Sequence, residues 1–221
     1  AAGKDMLKGV SSTFKGKVLG QDLTTWPSQL DFSAELAKAK AAKPEAVFVF
    51  YPGKAGVQFL AQYAQAGLKD TIPLYTAFTI DELSLPLQKD LALGVPGAQE
   101  WVNDLPNAEN KKFVADFIKK HPGKKPSFYG AQSYDAANLI ASAVNALKAD
   151  LSDKGKVEAA LKKADFKSVR GNFKFGNNHF PIQNFYLQDV VKDASGDFVL
   201  KTAATIVKDS QDSFHDKCPM K

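Results

Sequence analysis

Ala46-Val47-Phe48-Val49-Phe50-Tyr51-Pro52-Gly53 is an apolar run that stops on an aromatic hydroxyl, a proline and a glycine. An apolar run without alternation reads as a strand buried on both faces, with Phe48 and Phe50 in the core. Past the Pro52-Gly53 turn, Val57, Leu60, Ala61 and Ala64 recur at helical spacing, and Gly67 stands where a helix would stop. Strand, turn and helix in that order form the repeating unit of a parallel α/β sheet. Ligands of such sheets sit beyond the carboxyl ends of the strands. Here that end offers the Tyr51 hydroxyl and, at Gly53, a backbone that a ligand can approach closely. The run Ile72-Pro73-Leu74-Tyr75-Thr76-Ala77-Phe78-Thr79 repeats the design and ends in an aromatic and a hydroxyl. Two such ends in one chain predict a binding cleft.

Working outward, Met6, Leu7, Val10 and Phe14 predict a helix over 3–14, and a strand follows at 17–23. Asp31 or Ser33 can cap a helix that runs to about Ala41. A helical turn is expected near 80–89, and short strands over 92–95 and 98–102. Asn107 opens a helix with a Phe113, Val114, Phe117, Ile118 stripe, closed by His121-Pro122-Gly123. A long helix over 127–148 and a short one over 153–164 come next. The character then changes: 173–175, 184–191 and 198–206 are β-rich and separated by Asn177-Asn178 and Ser195-Gly196 turns. The tail after Lys208 is polar.

The chain has 221 residues, 44% of them hydrophobic and 24% charged, enough to bury a core in one large or two small domains. No apolar run approaches the ~18 residues of a membrane span. The start has neither a basic nor an apolar leader region, so a signal peptide is expected to be absent or removed. Net charge is +5, but Arg170 is the only arginine and the lysines are interspersed with Asp and Glu. Phosphate and base readers rely on the guanidinium fork, so a nucleic-acid partner is not expected.

Enzyme chemistry finds little support. His121, His179 and His215 lie far apart with no cysteine pair, which speaks against a metal site. No P-loop, nucleophile elbow or full dinucleotide fingerprint occurs, and no cofactor is expected. Pro52-Gly53-Lys54-Ala55-Gly56 is only a weak phosphate-cradle signal. Cys218 reads either as an incidental thiol or as one half of a disulfide to another chain. The candidate ligand contacts are Tyr51, Gly53, Phe78, Thr79, Tyr129 and Trp101, each weighed against plain packing.

Several strings together resemble a known family. They are Asp31-Phe32-Ser33-Ala34-Glu35-Leu36, Lys43-Pro44-Glu45-Ala46-Val47-Phe48-Val49-Phe50, Gln58-Phe59-Leu60-Ala61-Gln62 with Ala66-Gly67-Leu68, and Tyr129-Gly130-Ala131-Gln132-Ser133-Tyr134-Asp135-Ala136-Ala137. Val169-Arg170-Gly171-Asn172-Phe173-Lys174-Phe175 with Asn177-Asn178-His179 adds a late turn. The chain resembles periplasmic substrate-binding proteins of branched-chain amino-acid-type ABC transporters, over nearly its whole length.

The resemblance implies a type I periplasmic-binding fold, an α/β architecture of two lobes that close like a hinge on a small ligand. It implies an extracytoplasmic, non-enzymatic protein that hands its ligand to ABC permease subunits. It also implies that the opening part of lobe one is missing and would be a covalent or associated partner. On that alignment 1–102 is most of lobe two, 103–175 the later part of lobe one, 176–207 a β-rich return to lobe two, and 208–221 a polar tail. Tyr51 matches the family's lobe-two tyrosine region and Tyr129 an aromatic on the lobe-one side. Phe78-Thr79 falls where the family places a polar or acidic contact. No carboxylate stands there for a ligand ammonium, which favours an aromatic or other organic acid over a branched-chain amino acid. A ligand-sensing regulatory domain on the same fold is the alternative.

Overall fold

The structure, a computed structural model, describes Ala2–Met220. The chain separates into two compact units, Ala1–Ala98 with Gln188–Lys201, and Gln99–Leu187 with Thr202–Lys221. The chain passes between these units after 98, 187 and 201. The return is thus a hairpin that runs into the first unit and back out.

The first unit opens with α1 (Ala2–Thr13), which buries none of its residues, followed by α2 (Ser33–Ala42) and β1 (Val47–Val49). Next come α3 (Lys54–Gln65), β2 (Leu74–Ala77), the short α4 (Leu85–Gln88) and β3 (Gly97–Gln99). β1 pairs parallel with β2 in the register Val47↔Leu74, Phe48↔Tyr75, Val49↔Thr76. β2 pairs parallel with β3 through Thr76↔Gly97 and Ala77↔Ala98. The α3 face of this sheet carries the core: Phe32, Leu36, Val49, Phe59, Leu60, Tyr63 and Leu74 are all buried. Gly67 does close α3. At φ +70° it lets Leu68 N–H reach back to the Tyr63 carbonyl at 3.1 Å and its own N–H to the Ala64 carbonyl at 2.9 Å, the two bonds of a Schellman stop.

Three expectations change here. Residues 17–23 form no strand, and Val18, Leu19 and Leu23 are about half exposed. A lone extended segment lacks a neighbour to take its backbone bonds. Phe48 is exposed rather than core, because successive strand residues face opposite ways and only the Val49 side is covered. Its cross-strand partner Tyr75 is exposed with it. The expected helix near 80–89 shrinks to α4 and a 3₁₀ turn, Lys89–Leu91. Before α4, Asp81 Oδ1 accepts from the N–H groups of Leu83 and Ser84, both at 2.8 Å, while Ser84 Oγ accepts from Asp81 N–H at 3.0 Å.

The second unit holds α5 (Ala108–Lys120), α6 (Phe128–Ala146), α7 (Lys154–Lys163) and β4 (Lys174–Phe175). β5 (Pro181–Lys192) and β6 (Phe198–Ser210) form the shared hairpin. Asn107 and Asp153 cap α5 and α7 by accepting from Asn110 and Lys156 N–H. β4 pairs antiparallel with the start of β5, Lys174↔Ile182. A buried ion pair joins two strings that are far apart in sequence. Asp135 on α6 accepts from Arg170 Nε at 3.0 Å, Ser168 Oγ at 2.5 Å and Val169 N–H at 3.0 Å. Arg170 also donates to Gln183 Oε1 at 2.9 Å and lies over the Phe173 ring.

Candidate functional site

In the first unit four of the expected residues gather where β1 and β2 end. The parallel register sets both ends at one level, and a side-chain bond joins them: Tyr51 N–H donates to Thr79 Oγ1 at 2.9 Å. Thr79 is fully buried, and its hydroxyl also donates to the Ala77 carbonyl at 3.0 Å. Its polar atom is therefore committed to holding the two strand ends. Tyr51 is half-buried, its ring packed on Phe32 at 4.8 Å and Phe59 at 5.1 Å. Its hydroxyl oxygen accepts from the Thr24 hydroxyl at 3.2 Å. Burial pushes the phenol above its ordinary pKa, partly offset by Thr24, so it stays a neutral hydrogen-bonding group at physiological pH.

Gly53 is exposed at φ +67°, just before α3, so the backbone at the strand end is uncovered. Phe78 has φ +53°, a left-handed backbone rare for a bulky residue and costing about 1–3 kcal/mol. It sets the Phe78 ring edge-on to Phe50, with centroids 6.1 Å apart. The neighbouring carboxylate of Asp81 is turned into its own turn, as described above, and is 2% exposed.

One determinant escaped the sequence reading. A Cβ at Gly56 would collide with the Tyr51 carbonyl oxygen and lie 2.8 Å from the Thr79 carbonyl oxygen. Gly56 thus lets the first turn of α3 sit directly against both strand ends. Its position in a glycine-bearing turn was visible; its close contact is tertiary.

In the second unit, Trp101 has no exposed surface. Its indole N–H donates to Asn110 Oδ1 at 2.9 Å, and Asn110 in turn donates to the Asn103 and Leu105 carbonyls. The ring is an anchor for the head of α5. Tyr129 is about half exposed in the first turn of α6, against Phe128. Three residues along, Gln132 donates its side-chain amide to Glu100 Oε1. Glu100 is buried, and burial raises its pKa despite the Gln132 bond and the nearby Arg170 charge. Its other oxygen has no partner among the described residues. The sequence alone did not single out this carboxyl group. Among the described residues no cluster of His, Cys, Asp and Glu is placed to hold a metal ion.

The sequence profile of a family described as periplasmic binding protein matches residues 1–196. Among solved structures, the chain is similar to a solute-binding protein of an ABC transporter from R. palustris in complex with benzoate. The identity is 32%, the TM-score 0.83, and the match covers 95% of this chain and 57% of that one. An ABC transporter substrate-binding protein from Sphaerobacter thermophilus is 27% identical at TM-score 0.85, over 95% of this chain and 58% of that one. A solute-binding protein of an ABC transporter from Rhodopseudomonas palustris HaA2, in complex with p-hydroxybenzoic acid, is 26% identical at TM-score 0.85. There the match covers 97% of this chain and 60% of the relative. The chain thus spans less than two thirds of the length of these proteins. No curated protein sequence matches it significantly.

Proposed function

The chain belongs to the periplasmic binding protein family, and from that premise we propose that it captures a small aromatic acid outside the cytoplasm, by hinge closure, for an ABC permease. The carrying observation is the joined strand end of the first unit. It sets the Tyr51 phenol, the open Gly53 backbone and the Phe78 ring together, while the Asp81 carboxylate is committed to its own turn. Such a rim suits a ring with a polar substituent. Relatives 32% and 26% identical to this chain over the matched segment are in complex with benzoate and p-hydroxybenzoic acid. On this reading Tyr51 hydrogen-bonds the ligand and Phe78 and Tyr129 are apolar walls. Thr79 fixes the rim, and Trp101 fixes the fold of its own unit. Ligand contacts that are stronger in the closed state supply the shift toward closure.

Calorimetric titration with benzoate, p-hydroxybenzoate and leucine tests the reading. Binding of the aromatic acids, weakened by Tyr51→Phe, is the expected result. Binding of leucine alone would overturn the assignment of ligand class.

A further inference from the structure

At the opposite ends of β2 and β3 from the strand-end rim, the first unit contains a cavity of about 260 Å³. Leu60, Tyr63, Leu74, Leu91, Leu93 and Val95 form apolar walls. Pro73 and Pro96 add backbone without an N–H donor. Tyr63 is closed as a polar partner, since its hydroxyl already donates to the Ile72 carbonyl at 2.9 Å. Burial raises that phenol's pKa to about 12, so the wall carries no charge there.

One cation borders this cavity. Lys69 donates from Nζ to the Asp90 backbone carbonyl. The Asp90 carboxylate does not neutralise it, because Lys192 takes that carboxylate at 3.2 Å while lying over the Phe198 ring. Among the described residues Lys69 makes no ion pair, so two of its three ammonium donors remain for an incoming anion.

A cavity lined largely by apolar side chains, with an ammonium outside any described ion pair at its edge, is complementary to a small carboxylate with an apolar body. The volume is just under the roughly 300–1,000 Å³ of pockets for drug-sized ligands, which suits a single-ring or short branched acid. We propose that this cavity is a second ligand site, separate from the strand-end rim, that takes a small apolar carboxylate with Lys69 as its counter-charge.

The test is a ¹H–¹⁵N NMR titration of the 221-residue chain with benzoate, and in parallel with neutral benzyl alcohol. Benzoate is expected to shift the amides of Lys69, Leu93, Gly94 and Val95 in a saturable way, with affinity at least about tenfold above that of benzyl alcohol. Lys69→Met should lower benzoate affinity at these amides to the benzyl alcohol level and leave the response of Gly53 and Phe78 unchanged. Silence of the four amides in the wild-type chain overturns the proposal. So does equal response to acid and alcohol, or an unchanged affinity in Lys69→Met. The wild-type comparison of acid with alcohol decides the matter even where the variant does not fold. Loss of response at Gly53 and Phe78 alone would count against the strand-end rim and not against this cavity.

Discussion

Thr79 Oγ1 accepts a hydrogen bond from the backbone N–H of Tyr51 at 2.9 Å, across a sequence gap of 28 residues. The bond lies just past the ladder of β1 and β2 and continues it with a side chain. It fixes the spacing of two loops that the sheet alone would leave free to part.

Removing that acceptor while keeping the shape tests the claim. Thr79→Val leaves the Tyr51 N–H unpaired in a partly buried place, at a cost of about 1–3 kcal/mol. For a chain of this size each kcal/mol lowers the melting temperature by about 2–4 °C. Thr79→Ser keeps the hydroxyl and should recover most of the loss in a thermal melt. Equal melting of the Val and Ser variants would remove the bond from the account.

Gly56→Ala is expected to destabilise, unlike an ordinary helical Gly→Ala exchange, which stabilises by up to about 1 kcal/mol. Here the new methyl meets the carbonyls of Tyr51 and Thr79. Denaturant unfolding should show a lower midpoint with unchanged slope. A raised midpoint would mean that α3 shifts without cost.

Tyr51 needs two substitutions, since its ring and its hydroxyl do separate things. Tyr51→Ala opens a hole between Phe32 and Phe59 and should cost stability of about 3–5 kcal/mol at most, less for its half-exposed part. Tyr51→Phe keeps the packing and loses only the Thr24 bond and any ligand bond. Tyr51→Phe should melt within about 1 kcal/mol of wild type while binding an aromatic acid more weakly in calorimetry. Undiminished binding by this variant would take the hydroxyl out of the ligand site.

Asp135→Ala leaves the Arg170 guanidinium buried with one side-chain partner, Gln183. Breaking a buried pair in this way costs about 3–5 kcal/mol. The double variant Asp135→Ala/Arg170→Met should be less destabilised than Asp135→Ala alone, as read from urea midpoints. Simple additivity of the two changes would show that the pair is not coupled.

Glu100 gives a pH signature. Its folded-state pKa lies above the unfolded value because burial disfavours the carboxylate. The folded protein therefore holds more protons than the unfolded chain between those two values, and stability falls as pH rises through that window. Below the ordinary glutamate value both states are protonated and the penalty is absent. Above the raised value it is fully present. Glu100→Gln should accordingly stabilise the protein at neutral pH and bring no gain in acid, measured by melts across pH. A gain independent of pH would contradict this origin.

The parallel β1–β2 pair and the helix between them could be read from the chain because their signals are local: an apolar run, a proline-glycine stop, a helical period closed by Gly67. The same holds for the helix starts at Asn107 and Asp153, whose short side chains the structure shows accepting from N–H groups three residues ahead. Residues 17–23 misled, since an apolar, β-prone stretch becomes a strand only beside a neighbour, and Phe48 misled because hydropathy does not report which sheet face is covered.

What the sequence determined by itself was the α/β order, the strand ends that carry Tyr51 and Phe78, and the family whose residues they share. Each follows from residue type and short spacing. Tertiary structure alone decided that Thr79 turns its hydroxyl to Tyr51, that Trp101 is sealed on Asn110, that Gly56 must be a glycine, and that Lys69 borders a cavity. Those are contacts between residues distant in the chain or packed closer than sequence reveals. A side chain's role there depends on which polar atoms its neighbours leave unpaired once the backbone has folded.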